Sequence, residues 1–323
     1  MSEQGLDLEY LADFVFATYG LPTRPTVTHI RDGQGQSRIF RVQTGADTTI
    51  LRLYGPQPDG TPALIESEAA WLLFLQSQGC AVAAPLPQPS GSLVTTLPAS
   101  GAPRYAALFT FAEGCPQWPP TAEQSAQLGA ALARLHQVSD GFAGAGPVRS
   151  YGFAELIEGP LSRMLPFVEA PEDRAYLREL GDRIAQALEA IPQAAPFHGM
   201  IHGDVHQGNA HFSEAGDLML FDFTLCGRGW RIYDFAGFLW PLRDDSIDAP
   251  GVRTACDSFV AGYQSVRPLH TAERAAIPAC VKARDLWETG DWIATDPTAE
   301  AAVLQDWMRT LLARFRRTPL GLG

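Results

Sequence analysis

Three polar side chains have the types and the spacing that phosphoryl transfer requires. Asp204 closes a His-Gly-Asp sequence, Asn209 follows five residues later, and Asp222 ends an apolar run just before a phenylalanine. Transfer of a phosphoryl group from Mg-ATP needs one carboxylate facing the attacking hydroxyl and oxygen ligands for the magnesium that neutralises the phosphates. This stretch supplies all of these groups, so it is a candidate phosphoryl-transfer site.

The sequence around these residues predicts how they are positioned. Glycines at 203 and 208 and several polar residues lie between two β-type segments, which predicts a tight loop with Asp204 and Asn209 at its two ends. Residues 218–221 are apolar and predict a short strand that ends at Asp222. We expect that strand to bring Asp222 beside the loop.

The whole chain predicts a strand-rich half followed by a helix-rich half. Apolar spacing and turn residues in the first half predict helices over 6–19 and 63–78 and strands over 26–30, 38–42, 48–53, 92–97 and 105–111. In the second half they predict helices over 121–139, 153–168, 171–191, 232–242, 252–263, 272–289 and 298–316. This order predicts an α+β fold with two lobes, residues 1–112 and 113–323.

Composition limits the classes of function. The chain has 323 residues, 46% of them hydrophobic, so a substantial core is expected. A formal net charge of −12 argues against nucleic acid or an anionic membrane as the main partner, because both attract basic surfaces. No membrane-spanning run or signal-peptide pattern is visible, and five widely spaced cysteines form no disulfide framework, so a cytoplasmic location is expected. The oligomeric state stays open.

The order of loop aspartate, loop asparagine and strand-end aspartate resembles the aminoglycoside phosphotransferase and choline kinase superfamily, whose fold is similar to that of protein kinases. Homoserine kinases of the second type, hydroxylysine kinases and the stress response kinase are the most similar branches. The resemblance covers nearly the whole chain and includes Ile50-Leu51-Arg52, Glu66 and Glu68, Leu128-Gly129, Leu135-His136, the His-Gly-Asp loop, Asp222-Phe223 and Tyr233-Asp234-Phe235-Ala236. It implies a bilobal kinase-like fold, with a five-stranded antiparallel sheet and a helix in the first lobe and a larger, mostly helical second lobe.

By that resemblance Asp204 is expected to be the catalytic base or the group that orients the acceptor hydroxyl. Asn209 and Asp222 are expected to bind Mg²⁺, and hard oxygen ligands of this kind suit that ion. His202 is expected to fix the loop by bonding to backbone near Asp222, and Asp234 to cap backbone amides of the loop. These two residues would support the site rather than touch ATP.

Histidines at 198, 202 and 206 suggest an alternative metal site. Their spacing would suit zinc only on a helix, and the glycines between them break a helix. His206 lies inside the loop beside Asp204, so it could instead face a substrate. Magnesium remains the expected metal.

Other residues are expected to bind ATP by the same resemblance. Gly33, Gly35 and Ser37 lie in a Gly-rich turn at the place of the phosphate-covering loop, although a turn of this type is usually only a turn. Arg52 occupies the place where the family commonly has a lysine for the α- and β-phosphates, and the only lysine of this chain is at 282. Arginine keeps the charge and can bind phosphate through two donors. Glu68 is the preferred partner for Arg52.

The adenine site is expected near residues 108–112, whose backbone would face the adenine edge. Phe109 and Phe111 belong to this segment, and Leu51 and Leu220 would supply apolar walls. An acceptor pocket could be lined by Trp230, Tyr233, Trp240, Trp287, Trp292, Asp244 and Asp245, although aromatic residues at helical spacing are more often core. Asp291 lies one helical turn after Trp287 and could share its face.

Thr224 departs from the family pattern, because many relatives have an aspartate two residues after the first. Magnesium should still bind at Asp222 and Asn209, but a second metal would be held less well. The leading hypothesis is ATP-dependent phosphoryl transfer to a hydroxyl of a small acceptor, such as an amino alcohol, an amino acid or an aminoglycoside. Two alternatives remain: a protein Ser/Thr kinase of the stress response type, and a nucleotide-binding pseudokinase with a regulatory role.

Overall fold

The computed structural model describes residues 7–32, 37–55, 61–98, 104–116, 119–240, 251–296, 298 and 300–317. Gly33, Gly35, Asp244 and Asp245, which the sequence singled out, lie outside these ranges. Within them, no helix has the length and the apolar character to cross a bilayer.

The predicted order of a strand-rich half and a helix-rich half is confirmed. The helices are α1 (Leu8–Tyr19), α2 (Pro62–Ser77), α3 (Ala122–Val138), α4 (Gly159–Met164), α5 (Pro171–Glu189), α6 (Asp234–Leu239), α7 (Val252–Val266), α8 (Thr271–Thr295) and α9 (Ala301–Arg317). The strands are β1 (Thr26–Asp32), β2 (Arg38–Thr44), β3 (Asp47–Leu53), β4 (Thr95–Leu97), β5 (Arg104–Thr110), β6 (Arg149–Tyr151), β7 (His198–Ile201), β8 (Ala210–Phe212), β9 (Leu218–Leu220) and β10 (Gly227–Trp230).

The chain forms two compact units. The first unit comprises residues 1–114, 142–148 and 211–224, and the second comprises 115–141, 149–210 and 225–323. The sequence was expected to divide once, near residue 112. The two later segments join the first unit because the chain returns to it: the backbone of Leu220 bonds to that of Ala81 and Ala83 at 2.9 and 2.8 Å.

The first unit contains the predicted antiparallel sheet of five strands, in the order β1-β2-β3-β5-β4. Apolar residues of α1, such as Leu11 and Val15, are fully buried with the inward residues of the sheet, such as Val42 and Leu51. Thr61 caps the N-terminus of helix α2, because its hydroxyl accepts the Leu64 N–H at 3.3 Å. A proline occupies the first turn of this helix. The sheet therefore fixes the position of each side chain along β3, including Arg52.

The second unit is built from helices around a three-stranded sheet, in the order β6-β10-β7. The sequence patterns predict neither β6 nor β10, which are short. Glycine suits β10 for a packing reason: a Cβ at Gly229 would lie 2.9 Å from Cβ of Tyr151. A segment that is poor in β-branched residues thus forms the central strand, because neighbouring side chains fill the space above it.

Two helix boundaries also differ from the prediction. Residues 153–168 form a π-helical turn, α4 and a 3₁₀ turn rather than one continuous helix. Helix α8 continues to Thr295 rather than ending at residue 289. Twelve residues of α8, the last of them Gly290, are buried.

Candidate active site

Asp234, at the start of α6, holds the backbone of the loop that carries Asp204. Its carboxylate accepts hydrogen bonds from the backbone N–H groups of His202 at 2.9 Å and Gly203 at 2.7 Å. Gly203 has a φ of +83°, and a Cβ there would lie 2.0 Å from the carbonyl oxygen of Leu225. Only glycine fits this position, so the glycine of the His-Gly-Asp sequence is required by the loop.

A buried polar network orients Asp234 in turn. His136 of α3 is fully buried, with Nε2 at 2.9 Å from Oδ2 of Asp234 and Nδ1 at 2.9 Å from the hydroxyl of Tyr263. The Tyr263 hydroxyl also accepts a hydrogen bond from Nη1 of Arg267 at 2.9 Å. Burial lowers the pKa of His136 to about 4, although Asp234 opposes this shift. His136 is therefore neutral at pH 7 and can donate from Nε2 while Nδ1 accepts.

Asp204 has both carboxylate oxygens engaged. Oδ1 accepts from Nη2 of Arg284 at 2.6 Å, and Oδ2 accepts from Nδ2 of Asn209 at 3.0 Å. Nε2 of His206 lies 3.6 Å from Oδ2, while Nδ1 of the same ring accepts the Gly208 N–H at 2.9 Å. The structure thus brings together the two loop residues that the sequence predicted, and it adds an arginine from α8.

His202 is fully buried and belongs to the same loop. Its Nδ1 accepts a hydrogen bond from the backbone N–H of Asp204 at 3.3 Å. This contact lies within the loop and helps to hold the backbone at Asp204.

The surroundings keep Asp204 ionised. Burial alone would raise its pKa, but the hydrogen bond from His206 and the charge of Arg284 hold the pKa of Asp204 well below its usual range. The neighbouring carboxyl groups behave differently, because burial raises the pKa of Glu288 and of Asp291. Asp204 is thus held as an anion, whereas burial disfavours the charged form of its neighbours on α8.

Asn209 has a side chain suited to a metal ligand. It is 3% exposed, and its Nδ2 donates to both the backbone carbonyl and the carboxylate of Asp204, at 3.0 Å each. This fixes the amide, and its oxygen takes part in none of the described hydrogen bonds. Within the described ranges no group of three or more His, Cys, Asp or Glu side chains could hold a metal ion. An amide oxygen is a hard donor of the kind that Mg²⁺ accepts.

Asp222 lies in the first unit, where it is held in an unusual backbone conformation. Its φ is +62°, the only positive value at a non-glycine residue in the described part of the chain. Oδ1 accepts from Nη1 of Arg52 at 2.9 Å and from the hydroxyl of Thr224 at 2.7 Å, and Oδ2 accepts from Nη2 of Arg31 at 3.3 Å. A strained residue surrounded by donors is typical of a functional position, and its carboxylate is a hard oxygen ligand of the kind that magnesium takes.

The partner of Arg52 is not the one that the sequence favoured. Arg52 is 8% exposed and pairs with Asp222, whereas Glu68 of α2 acts on it only through its charge. Burial raises the pKa of Glu68 to about 7, although Arg52 opposes the shift. The guanidinium group also lies 5.1 Å from the ring of Tyr54.

The other residues predicted to bind ATP have different degrees of exposure. Ser37 is 1% exposed, and its hydroxyl accepts the Gly55 N–H at 3.2 Å. Phe109 and Leu220 are 8% and 1% exposed, so both contribute to the packing of the first unit. Phe111 is half-buried and has the guanidinium of Arg41 over its ring at 5.3 Å.

The sequence prediction missed Arg284 and Glu288 of α8. Arg284 is 5% exposed, and its Nη2 lies 2.6 Å from Oε1 of Glu288, one helical turn later. The available signal was a charged pair at i and i+4 in a helix whose neighbouring residues are apolar, together with Trp287. Such a pair is usually solvated, so its spacing alone does not connect it to Asp204.

The profile of the phosphotransferase enzyme family matches residues 26–269, so the chain belongs to this family. The enzyme is therefore an ATP-dependent phosphotransferase.

Relatives and solved structures agree with this assignment. A homoserine kinase of Sinorhizobium medicae is 33% identical over 88% of this chain and 84% of its own length. An amicoumacin kinase solved with AMP-PNP, Ca²⁺ and Ami has a TM-score of 0.77 at 20% identity, covering 98% of this chain and 96% of that chain. A microcompartment-associated aminopropanol kinase has the same TM-score at 23% identity, covering 97% of this chain and 99% of that chain. At these identities the two structures show the kinase-like fold.

Proposed function

We propose that this enzyme transfers the γ-phosphoryl group of Mg-ATP to a hydroxyl of a small acceptor that carries an ammonium group. Amino alcohols, hydroxylated amino acids and aminoglycosides belong to this class. The observation that carries the proposal is the Asp204 carboxylate, which Arg284 and Asn209 hold as an oriented anion. An oriented carboxylate of this kind is what a hydroxyl acceptor needs.

Asp204 would act mainly by orientation. It accepts a hydrogen bond from the acceptor hydroxyl and directs the oxygen towards the γ-phosphorus. The new O–P bond forms as the bond to the β–γ bridging oxygen breaks, and that electron pair leaves with ADP. Because the pKa of Asp204 is low, the hydroxyl proton moves to the carboxylate late, when the O–P bond is largely formed, and then passes to solvent.

Magnesium, when bound, neutralises phosphate charge. We assign Asn209 and Asp222 as its protein ligands, since both present hard oxygen atoms and both are fixed by donors around them. Arg52 and Gly33, Gly35 and Ser37 would contact phosphates, Glu68 would act on Arg52 through its charge, and Phe109, Phe111 and Leu220 would adjoin adenine. In this assignment residues 1–112 serve mainly the nucleotide, and residues 113–323 carry the catalytic loop and the acceptor site.

The charges near Asp204 favour an acceptor with an ammonium group. One guanidinium, that of Arg284, serves both Asp204 and Glu288 at 2.6 Å. Asp291 follows on the same helix, and burial raises the pKa of both Glu288 and Asp291 although arginines oppose the shift. An ammonium group would add positive charge beside these carboxyl groups. Homoserine and aminopropanol, named in the proteins that this chain resembles, each combine an amine with a hydroxyl.

An acceptor screen tests the proposal. ADP release is measured with homoserine, aminopropanol, other amino alcohols, aminoglycosides and amine-free alcohols, in parallel with autophosphorylation from labelled ATP. We expect release with an amine-bearing acceptor, and a loss of about 10³-fold in kcat for Asp204→Asn with ATP affinity nearly unchanged.

Three outcomes of this screen would reject the proposal. Full activity of Asp204→Asn would remove the role of that residue. Phosphorylation of protein serine or threonine without small-molecule turnover would indicate a protein kinase. ATP binding without turnover under any condition would indicate a regulatory nucleotide-binding protein.

A further inference from the structure

Arg284 contacts both the backbone and the catalytic side chain of the loop that carries Asp204. Its Nη1 donates to the backbone carbonyl of Gly203 and its Nη2 to Oδ1 of Asp204, both at 2.6 Å. One planar group thus binds the main chain and the side chain of two successive residues. The contact comes from a helix 80 positions further along the chain.

We propose that Arg284 is a positioning residue for phosphoryl transfer, which fixes the orientation of the Asp204 carboxylate. The inference rests on the proposed function, and it adds a residue of α8 to the active site. With Oδ1 held by Arg284, rotation of the carboxylate about its Cβ–Cγ bond would break that bond and the bond from Asn209 to Oδ2. A single orientation therefore faces the acceptor.

The guanidinium is itself held on several sides. Glu288 binds the same Nη2 at 2.6 Å, and the ring of Trp287 lies 5.1 Å from the guanidinium carbon. Nε1 of Trp287 donates to Oε1 of Glu155 at 3.0 Å, which fixes the ring. Packing and hydrogen bonds around Arg284 thus supply the rigidity that a positioning group requires.

Arginine has the shape that this role demands. Its fork can reach a carbonyl and a carboxylate at once, while the ammonium of lysine is a single point of charge that cannot reproduce both contacts in one plane. Arg284 does not touch the transferred group in this scheme, and its effect passes through Asp204.

The test compares Arg284→Ala and Arg284→Lys with a matched control, Arg314→Ala. Arg314 lies in the same unit, has a side chain only 12% exposed, and binds a carboxylate of α8, that of Asp285, at 2.8 Å. We expect kcat to fall about 10²-fold in Arg284→Ala and about 10-fold in Arg284→Lys, with KM for ATP unchanged. Guanidinium ions added to the buffer should restore part of the activity of Arg284→Ala and none of that of Asp204→Asn.

A second readout is the crystal structure of Arg284→Ala, or of Arg284→Lys if the alanine variant does not fold. The Asp204 carboxylate should move by more than about 0.5 Å, the tolerance within which a catalytic group must be held. An unmoved carboxylate, a wild-type kcat in both Arg284 variants, or an equal loss of kcat in Arg314→Ala would overturn the inference. If no acceptor is phosphorylated by the wild type, the proposed function fails, and the crystal structure still decides the role of Arg284.

Discussion

Asp204 and Asp222 are both carboxylates paired with arginine, yet the two units support them differently. Asp204 meets a buried guanidinium that is fixed by Glu288 and Trp287. Asp222 meets one buried guanidinium, that of Arg52, and one exposed guanidinium, that of Arg31, whose side chain is 53% exposed. The two arginine partners of Asp222 thus differ greatly in exposure.

This difference suits the two tasks that we propose. A residue that orients a hydroxyl benefits from fixed partners, because each rotation lost before the reaction lowers the barrier. If Asp222 binds magnesium and its arginines bind phosphate, these arginines would leave the carboxylate when nucleotide and cation arrive. Asp222 has a backbone φ of +62° and hydrogen bonds to arginines that differ in exposure.

The largest effect is expected from Asp222→Asn, which keeps the side-chain shape and tolerates the left-handed backbone but removes the charge. If Asp222 is the metal carboxylate, several kcal/mol of charge stabilisation are lost, and Mg²⁺-dependent ATP turnover should fall on the order of 10³-fold. ADP release at a series of Mg²⁺ concentrations measures this. Turnover equal to wild type at low Mg²⁺ would show that the metal lies elsewhere, and a melting temperature near that of wild type is the control for folding.

A second prediction concerns the network that holds the Asp204 loop. The pKa of His136 is lowered to about 4 by burial, against 6.5 in the unfolded chain, so the folded state binds its proton less tightly. The stabilisation is therefore complete above pH 6.5 and is lost as the pH falls towards 4, by about 3 kcal/mol in total. Urea denaturation between pH 7 and pH 4 should show this loss in the wild type but not in His136→Gln, which cannot titrate.

Parallel pH profiles for the two proteins would mean that other groups cause the loss. Asp234, Tyr263, Arg231 and Arg267 all act on His136, through hydrogen bonds or charge. The control variant Tyr263→Phe keeps His136 and removes one of the hydrogen bonds of its ring. It should retain the pH dependence with a lower stability at every pH, by about 1 kcal/mol or more.

Much of the fold and part of the site followed from local sequence patterns. The sheet of the first unit was predicted because its strands alternate and its turns contain glycine and aspartate. The contact between Asp204 and Asn209 was predicted because both lie in one short loop, and the glycine between His202 and Asp204 proved to be required by the backbone. Patterns of this kind depend only on residues that are close to one another in the sequence.

The missed features depend on contacts between distant residues. Arg284 reaches Asp204 across 80 positions, and nothing in the charges of α8 indicates which of them is buried. The strand Gly227–Trp230 has little β propensity, and it forms because β6 and β7 lie on either side of it. The pairing of Arg52 with Asp222 rather than Glu68 also depends on distant residues. The backbone bonds of Leu220 to Ala81 and Ala83 place the end of β9, and so Asp222, in the unit that contains Arg52.

The smallest effects should separate the two arginines of Asp222. Arg52 is buried and makes a charge-assisted hydrogen bond, so Arg52→Ala should weaken ATP binding about 10- to 100-fold if the guanidinium moves onto phosphate. Arg31 is exposed and at 3.3 Å, so Arg31→Ala should cost no more than about 5-fold. Isothermal titration with ATP and Mg²⁺ measures both, and Arg24→Ala, another exposed, ion-paired arginine of the same unit, is the control. Equal losses of ATP affinity in Arg31→Ala and Arg52→Ala would show that exposure does not distinguish the partners of Asp222. The contrast with Asp204 would then rest only on the backbone conformation of Asp222.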